Sequence, residues 1–163
     1  MIMEIEIRLS KEQDFGKLIE LDLRIWSSET TPAIIAWESI QEFAKRNPEG
    51  SQIVALVDGD VVGYLGFHPP TPLETNQHVL ELDIAVDEKF QGKGIGKQLL
   101  ENGKIVAKEK GIYKLSLRVL ATNEGAIQFY KKCGFIEQGR LIHEFYIGGK
   151  YVDDILMYML LDE

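Results

Sequence analysis

Residues 91–97, Gln91-Gly92-Lys93-Gly94-Ile95-Gly96-Lys97, place three glycines at alternate positions beside two lysines. The segment follows an apolar run, Val79 to Val86, that reads as a strand, and it opens a helix-patterned run from Lys97 to Lys110. A glycine-rich turn from strand to helix leaves backbone N–H groups unpaired and aimed one way, at the positive end of the helix dipole. That arrangement binds phosphate oxygens. Glycine permits φ > 0 and close approach of the anion, and Lys93 and Lys97 add cationic donors. Two other phosphate loops do not fit. A G-x-x-x-x-G-K-[ST] loop fails because Gln98 stands where a hydroxyl is required, and G-x-G-x-x-G fails because its third glycine falls on Lys97 or Leu99. Without a ligand, the same stretch would be a plain αβ connection.

A second group of residues can move protons. Glu81 and Asp83 lie two apart on the strand before the loop, so strand alternation puts them on one face. They can accept a proton, or they can face solvent or pair with lysines of a neighbouring strand. Tyr130 stands near the end of a later helix beside Phe129. It is either a packed aromatic or a proton donor. His68, His78 and His143 are scattered singly, and none has metal-ligand spacing to another His or to Cys133. No metal is expected, and Cys133 reads as a small packed residue.

The elements that must position these groups follow from pattern and turn signals. Ile2 to Arg8 reads as a strand. Ser10, with Gln13 three residues on, reads as a capping box opening a helix that ends before Pro32. Ile34 to Lys45 reads as a second helix. Gln52 to Val57 and Val61 to Phe67 are strands joined by Asp58-Gly59. The helix after the glycine loop carries Ile95, Leu99, Val106 and Ala107 on one stripe, with Gly103 allowing close approach and Gly111 closing it. Tyr113 to Leu120, then a strand from Phe135, then Tyr151 to Leu161 complete the strands. A helix starting at Thr122-Asn123-Glu124 and ended by Gly134 lies between the first and second of these, and Gly148-Gly149 forms a hairpin turn.

The chain of 163 residues, 45% hydrophobic and 27% charged, suits one globular domain over 1–163. No apolar run approaches the ~20 residues that span a bilayer, so no membrane partner is expected. The N-terminus lacks the form of a signal peptide. Cys133 is the single cysteine, which suits a reducing cytoplasm. A net charge of −8 argues against nucleic-acid binding and mildly favours a cationic substrate.

The Q-x-x-G-x-G of Gln91 to Gly96 resembles the acyl-CoA pyrophosphate loop of the GNAT superfamily of N-acetyltransferases. The element order βααβββαβαββ is that of the GNAT fold, a mixed, largely antiparallel sheet flanked by helices. Ala126-Ile127-x-x-Tyr130 followed by Gly134-Phe135 resembles the family's A-I-x-x-Y-x-x-x-G-F signature. Gly139-Arg140, Tyr151-Val152-Asp153 and Met157 resemble bacterial small-amine and protein N-terminal acetyltransferases. The resemblance implies acetyl-CoA as cosubstrate and direct transfer of acetyl to a small-molecule or peptide amine, with a homodimer as an expected assembly. A catalytically silent acyl-CoA sensor on the same fold is the alternative.

Acetyl transfer needs a neutral amine, a polarised carbonyl and a leaving thiolate. A lysine-like amine costs about 4–5 kcal/mol to deprotonate at neutral pH. Glu81 resembles the proposed base of the phosphinothricin-type branch, with Asp83 and water as alternatives, and Tyr130 matches the tyrosine that protonates the thiolate. By the same resemblance, backbone groups of Ile84, Ala85 and Val86 pair with pantetheine. Gln91, Gly92, Lys93, Gly94, Ile95, Gly96 and Lys97 take the pyrophosphate. Asn123, at the helix start, and Ala126 face the pantetheine, and Lys132 reaches the nucleotide phosphate or stays solvated. Trp26, Trp37 and the 27–33 loop border the acceptor or simply pack. One departure stands out. Ribosomal-protein alanine acetyltransferases carry a glutamate twelve residues before the helix tyrosine, and here that position is Arg118.

Overall fold

The computed structural model of the chain describes residues 3–26, 31–33 and 35–161. Among them the elements run β1 (Glu6–Leu9), α1 (Phe15–Ile25), α2 (Ile40–Arg46), β2 (Gln52–Val57), β3 (Asp60–His68), β4 (Val79–Val86), α3 (Ile95–Glu109), β5 (Lys114–Leu120), α4 (Glu124–Lys132), β6 (Ile136–Ile147) and β7 (Lys150–Leu160). The strands form a mixed sheet in the order β1-β2-β3-β4-β5-β7-β6, flanked by the helices. This is the element order expected from the sequence.

The chain gathers into two compact units. The first takes Met1–Ile25, Ile35–Phe67 and Asp83–Val106. In it β2 pairs antiparallel with β1 and with β3. The β2–β3 hairpin turns at Asp58 and Gly59, both at positive φ (52° and 82°), as a type I′ turn requires. Every residue of β2 is buried, and Ile53 to Val57 form a continuous apolar run. Leu18 and Leu21 of α1, Leu65 of β3 and Leu99 of α3 are fully buried, each contributing about 1.5–3 kcal/mol relative to exposure. A Cβ on Gly103 would stand 2.9 Å from Leu65 Cδ1, so α3 lies close on β3 because that residue is glycine.

Two local expectations fail in this unit. Ser10 does not cap α1. Its Oγ accepts from the N–H groups of Gly50 (3.2 Å) and Gln52 (3.4 Å), since buried backbone donors must be satisfied. A 3-10 turn at Glu12–Asp14 starts the helix instead, and Asp14 accepts from Lys11 N–H at 2.8 Å and from Arg8 Nη1 and Nη2 at 2.7 and 2.9 Å. α2 begins at Ile40, because Ser39 caps it by accepting from Glu42 N–H at 3.0 Å. Ile34, the expected start of α2, lies outside the described residues, as do Ile2 and residues 27–30.

The second unit takes Trp26–Ile34, His68–Leu82 and Ala107–Glu163. β5 pairs parallel with β4 over three positions, Val79↔Lys114 to Glu81↔Ser116, and antiparallel with β7 along its whole length. β6 lies at the edge beyond β7, and none of its residues is buried. Between Leu141↔Asp154 and Phe145↔Val152, β6 places Ile142, His143 and Glu144 opposite Asp153 alone. This bulge holds His143 at φ 51°. α4 ends on Gly134 (φ 101°), with Phe135 N–H on Tyr130 O (3.0 Å) and Gly134 N–H on Lys131 O (3.0 Å), a Schellman pattern. α3 closes the same way at Gly111, with Ile112 N–H on Ala107 O at 2.9 Å.

Candidate active site

The glycine loop lies in the first unit. After β4 a 3-10 turn, Glu88–Phe90, carries the chain to Gln91, whose Nε2 donates to Val86 O at 3.2 Å. Gly92 and Gly94 take φ 77° and 82°, where L side chains are strained. A Cβ on either would meet nothing within 4 Å, so the space above these two residues is open. Residues 91–94 are exposed, while Ile95 is buried and anchors α3. The helix starts at Ile95, two residues earlier than its pattern suggests. Its first bond is Gln98 N–H to Gly94 O at 3.1 Å, so the N–H groups of the turn before it have no partner within the helix. Asp87 fastens the near side of the loop. Its N–H donates to Val62 O (2.7 Å), and its carboxylate accepts from Lys89 N–H (3.1 Å) and Arg24 Nη2 (2.7 Å). Desolvation pushes that carboxyl up, but the Lys89 N–H and the Arg24 guanidinium outweigh it and hold its pKa below the usual range.

Asp83 also falls in this unit. Its Oδ1 stands 2.7 Å from where a Cβ on Gly66 would be, so the carboxylate packs over β3 in the space that glycine leaves. Trp37 is drawn into the same unit's packing. Its Nε1 donates to buried Asp22 at 2.9 Å, and its ring lies edge-on to Phe43. Tyr64 donates to the other oxygen of Asp22.

The second unit carries Glu81. Its Oε2 lies 3.3 Å from His68 Nε2, and its side chain is 25% exposed. The bond from His68 holds the Glu81 carboxyl below the usual carboxylate range against the opposing effect of burial, with Arg118 adding a smaller pull. Glu81 is therefore ionised at neutral pH. Arg118 of β5 donates from Nε to Asp154 Oδ2 at 2.6 Å and holds Nη2 3.8 Å from Glu144 Oε2. Asp154 is 3% exposed. Desolvation raises its pKa despite the arginine. Sequence reasoning missed His68, Asp154 and Glu144, because each acts through a partner on another strand. The paired acids Asp153-Asp154 in a strand pattern were the available signal, since alternation turns one of the two inward.

α4 shows what the sequence predicted of its start. Asn123 Oδ1 accepts from Ala126 N–H at 3.3 Å, so Asn123 is the N-cap. Tyr130 is buried, with its ring against Phe129 and Phe135 at 5.3 and 5.7 Å between centroids. Lys132 is exposed. Arg140 Nη1 meets Asp153 Oδ2 at 2.9 Å and His143 N–H meets Asp153 Oδ1 at 2.8 Å, which gives the Gly139-Arg140 and Tyr151-Val152-Asp153 motifs a shared physical purpose. Ile84, Ala85 and Val86 lie at the end of β4, with Ala85 buried.

The sheet is thus mixed and seven-stranded, with a glycine turn between β4 and α3. The model of the acetyltransferase (GNAT) family matches residues 14–135. Spermidine N(1)-acetyltransferase of Escherichia coli K12 is 29% identical, over 94% of this chain and 84% of its own length. The L-amino acid N-acetyltransferase AaaT of the same organism is 31% identical over 72% of each chain. The crystal structure of smu.2055 from Streptococcus mutans superposes with a TM-score of 0.89 at 30% identity, covering 96% of this chain and 99% of that one. The structure of yncA from Salmonella typhimurium with its cofactor acetyl-CoA shares the fold, with a TM-score of 0.85 at 18% identity over 98% and 95%. The chain belongs to the acetyltransferase (GNAT) family. It is an acetyl-CoA-dependent N-acetyltransferase, and its acceptor group is an amine. Among the described residues no helix is long and apolar enough to cross a membrane.

Proposed function

We propose that the chain transfers acetyl directly from acetyl-CoA to the primary amine of a small molecule, with Glu81 taking the ammonium proton, directly or through water. The observation that carries this reading is an ionised, partly exposed carboxylate at Glu81, on the strand that runs into the glycine loop. In this reading Gln91 to Lys97 hold the pyrophosphate, with backbone N–H groups of the first α3 turn as donors. Ile84, Ala85 and Val86 offer backbone to the pantetheine as an added strand would. Asn123 and Ala126 border the same arm, Lys132 meets the nucleotide phosphate, and Tyr130 protonates the departing thiolate. Binding and orientation supply most of the rate, and N–H groups of β4 polarise the carbonyl.

The relatives named for spermidine and for L-amino acids make a free small amine the leading acceptor, ahead of a peptide N-terminus. A cytoplasmic homodimer of single-domain chains completes the proposal. It is supported by the single cysteine and by β6, a long edge strand that leaves Ile136, Ile142 and Tyr146 exposed. Light scattering on the purified chain tests the assembly. Glu81→Gln tests the chemistry. It lowers kcat near neutral pH by ~10²-fold or more with the KM for acetyl-CoA unchanged. The loss shrinks as pH rises and the amine deprotonates unaided. A variant whose pH–rate profile overlays the wild type removes Glu81 from the role.

A further inference from the structure

We propose that Arg118 anchors the carboxylate of an acceptor that carries amine and carboxylate on the same carbon, as α-amino acids do; the proposal rests on the transferase reading above. Glu81 pairs with Ser116 across the parallel β4–β5 register. Arg118 is two residues further along β5, so it shares the face that Glu81 uses. Its position is built. Nε is fixed on Asp154, a carboxylate buried to 3% exposure, so the guanidinium plane is oriented before any ligand arrives. Its side chain is nevertheless 45% exposed. Among the described residues Arg118 makes no other hydrogen bond. Glu144 at 3.8 Å faces Nη2 beyond hydrogen-bond reach. The outer N–H groups of a planar fork thus remain available, in the geometry that takes a carboxylate two bonds at a time.

The guanidinium is the cation that Glu81, Glu144 and Asp154 share, so it is the group to which an acceptor carboxylate can turn. Glu81 offers a negative group to the ammonium end. A second ammonium on the acceptor would meet the guanidinium instead. Glu144 lies 3.8 Å from the Nη2 that the acceptor carboxylate would use. Its position is set by the β6 bulge, where His143 at positive φ and Arg140 are both fastened to Asp153. An incoming carboxylate that forms hydrogen bonds displaces a charge that, among the described residues, forms none with Arg118.

The test is free-CoA release with L-amino acids and their decarboxylated amines as matched pairs, with spermidine alongside, for wild type, Arg118→Gln, Arg118→Lys and Glu144→Gln. Each pair gives a ratio of kcat/KM. The expected wild-type ratio favours the amino acid, and Arg118→Gln lowers that ratio by ~10–100-fold, as loss of a charge-assisted pair should. Comparing variants cancels the different amine pKa values within each pair. Arg118→Lys recovers part of the ratio, Glu144→Gln raises it, and the KM for acetyl-CoA stays fixed in all. An unchanged ratio in folded Arg118→Gln, or a wild type that prefers spermidine or the decarboxylated amines, overturns the anchor and leaves the transferase intact. Calorimetry with N-acetyl amino acids keeps the two readings apart. Binding that requires Arg118, without turnover of any amine, upholds the anchor and removes the transferase reading, and no binding to wild type overturns the anchor.

Discussion

Replacing Gly94 separates backbone strain from charge at the proposed phosphate loop. Gly94 has φ 82° and open space where a Cβ would go, so a side chain there clashes with nothing and costs only the left-handed strain, about 1–2 kcal/mol. For a chain of this size each kcal/mol lowers Tm by about 2–4 °C. Asn and Asp are near-isosteric and both visit this conformation, so Gly94→Asn and Gly94→Asp share the strain and the bulk. They differ by one negative charge. A carboxylate ~4 Å from one phosphate charge costs about 4 kcal/mol at an effective dielectric of 20. Salt and the exposure of the loop reduce this to about 1–3 kcal/mol. Gly94→Asp is therefore expected to bind CoA ~10–100-fold more weakly than Gly94→Asn by calorimetry, with the gap narrowing in high salt. S-acetyl-pantetheine, which has no pyrophosphate, should show no gap. Equal CoA affinity for the two folded variants would refute the loop as the pyrophosphate site.

Tyr130→Phe keeps the ring packing on Phe129 and Phe135 and removes the hydroxyl. kcat should fall toward the low end of ~10²–10⁴-fold, because a thiolate leaves more readily than an alkoxide, while CoA affinity holds; full activity in the folded variant assigns Tyr130 to packing alone. Asp14 is held below its usual pKa first by the Arg8 hydrogen bond, against desolvation. Its contribution is therefore present above the unfolded carboxyl pKa and is lost as pH falls through the folded value. Asp14→Ala should cost about 2–4 kcal/mol at neutral pH and flatten the acid limb of the denaturation profile, and an unaltered acid limb contradicts the assignment.

What the sequence made legible was local. β2 and β4 have the bounds that their patterns gave, because turn residues flank both. Gly111 and Gly134 stop their helices where positive φ is needed. Ser10 was misread because its hydroxyl serves residues forty positions away, a tertiary demand with no local trace. β4 itself departs from alternation. Its buried residues are Val79, Leu82 and Ala85, three apart, so a two-residue rule could not say which carboxylate would lie over Gly66 and which would meet His68.

Arg118 shows the same limit at the site. Its departure from the glutamate of the ribosomal-protein branch was visible at once, but its meaning depended on Asp154, 36 positions on, which only the β5–β7 register brings beside it. With that register known, the substitution has a physical reason. A glutamate at 118 would stand against a buried aspartate with no cation to hold either, and two adjacent carboxylates cannot both ionise. An arginine at 118 and an aspartate at 154 thus form one unit. Glu81 pairs across the parallel register of β4 and is held below the usual carboxylate range by His68, which is why the proposed reading gives it the proton.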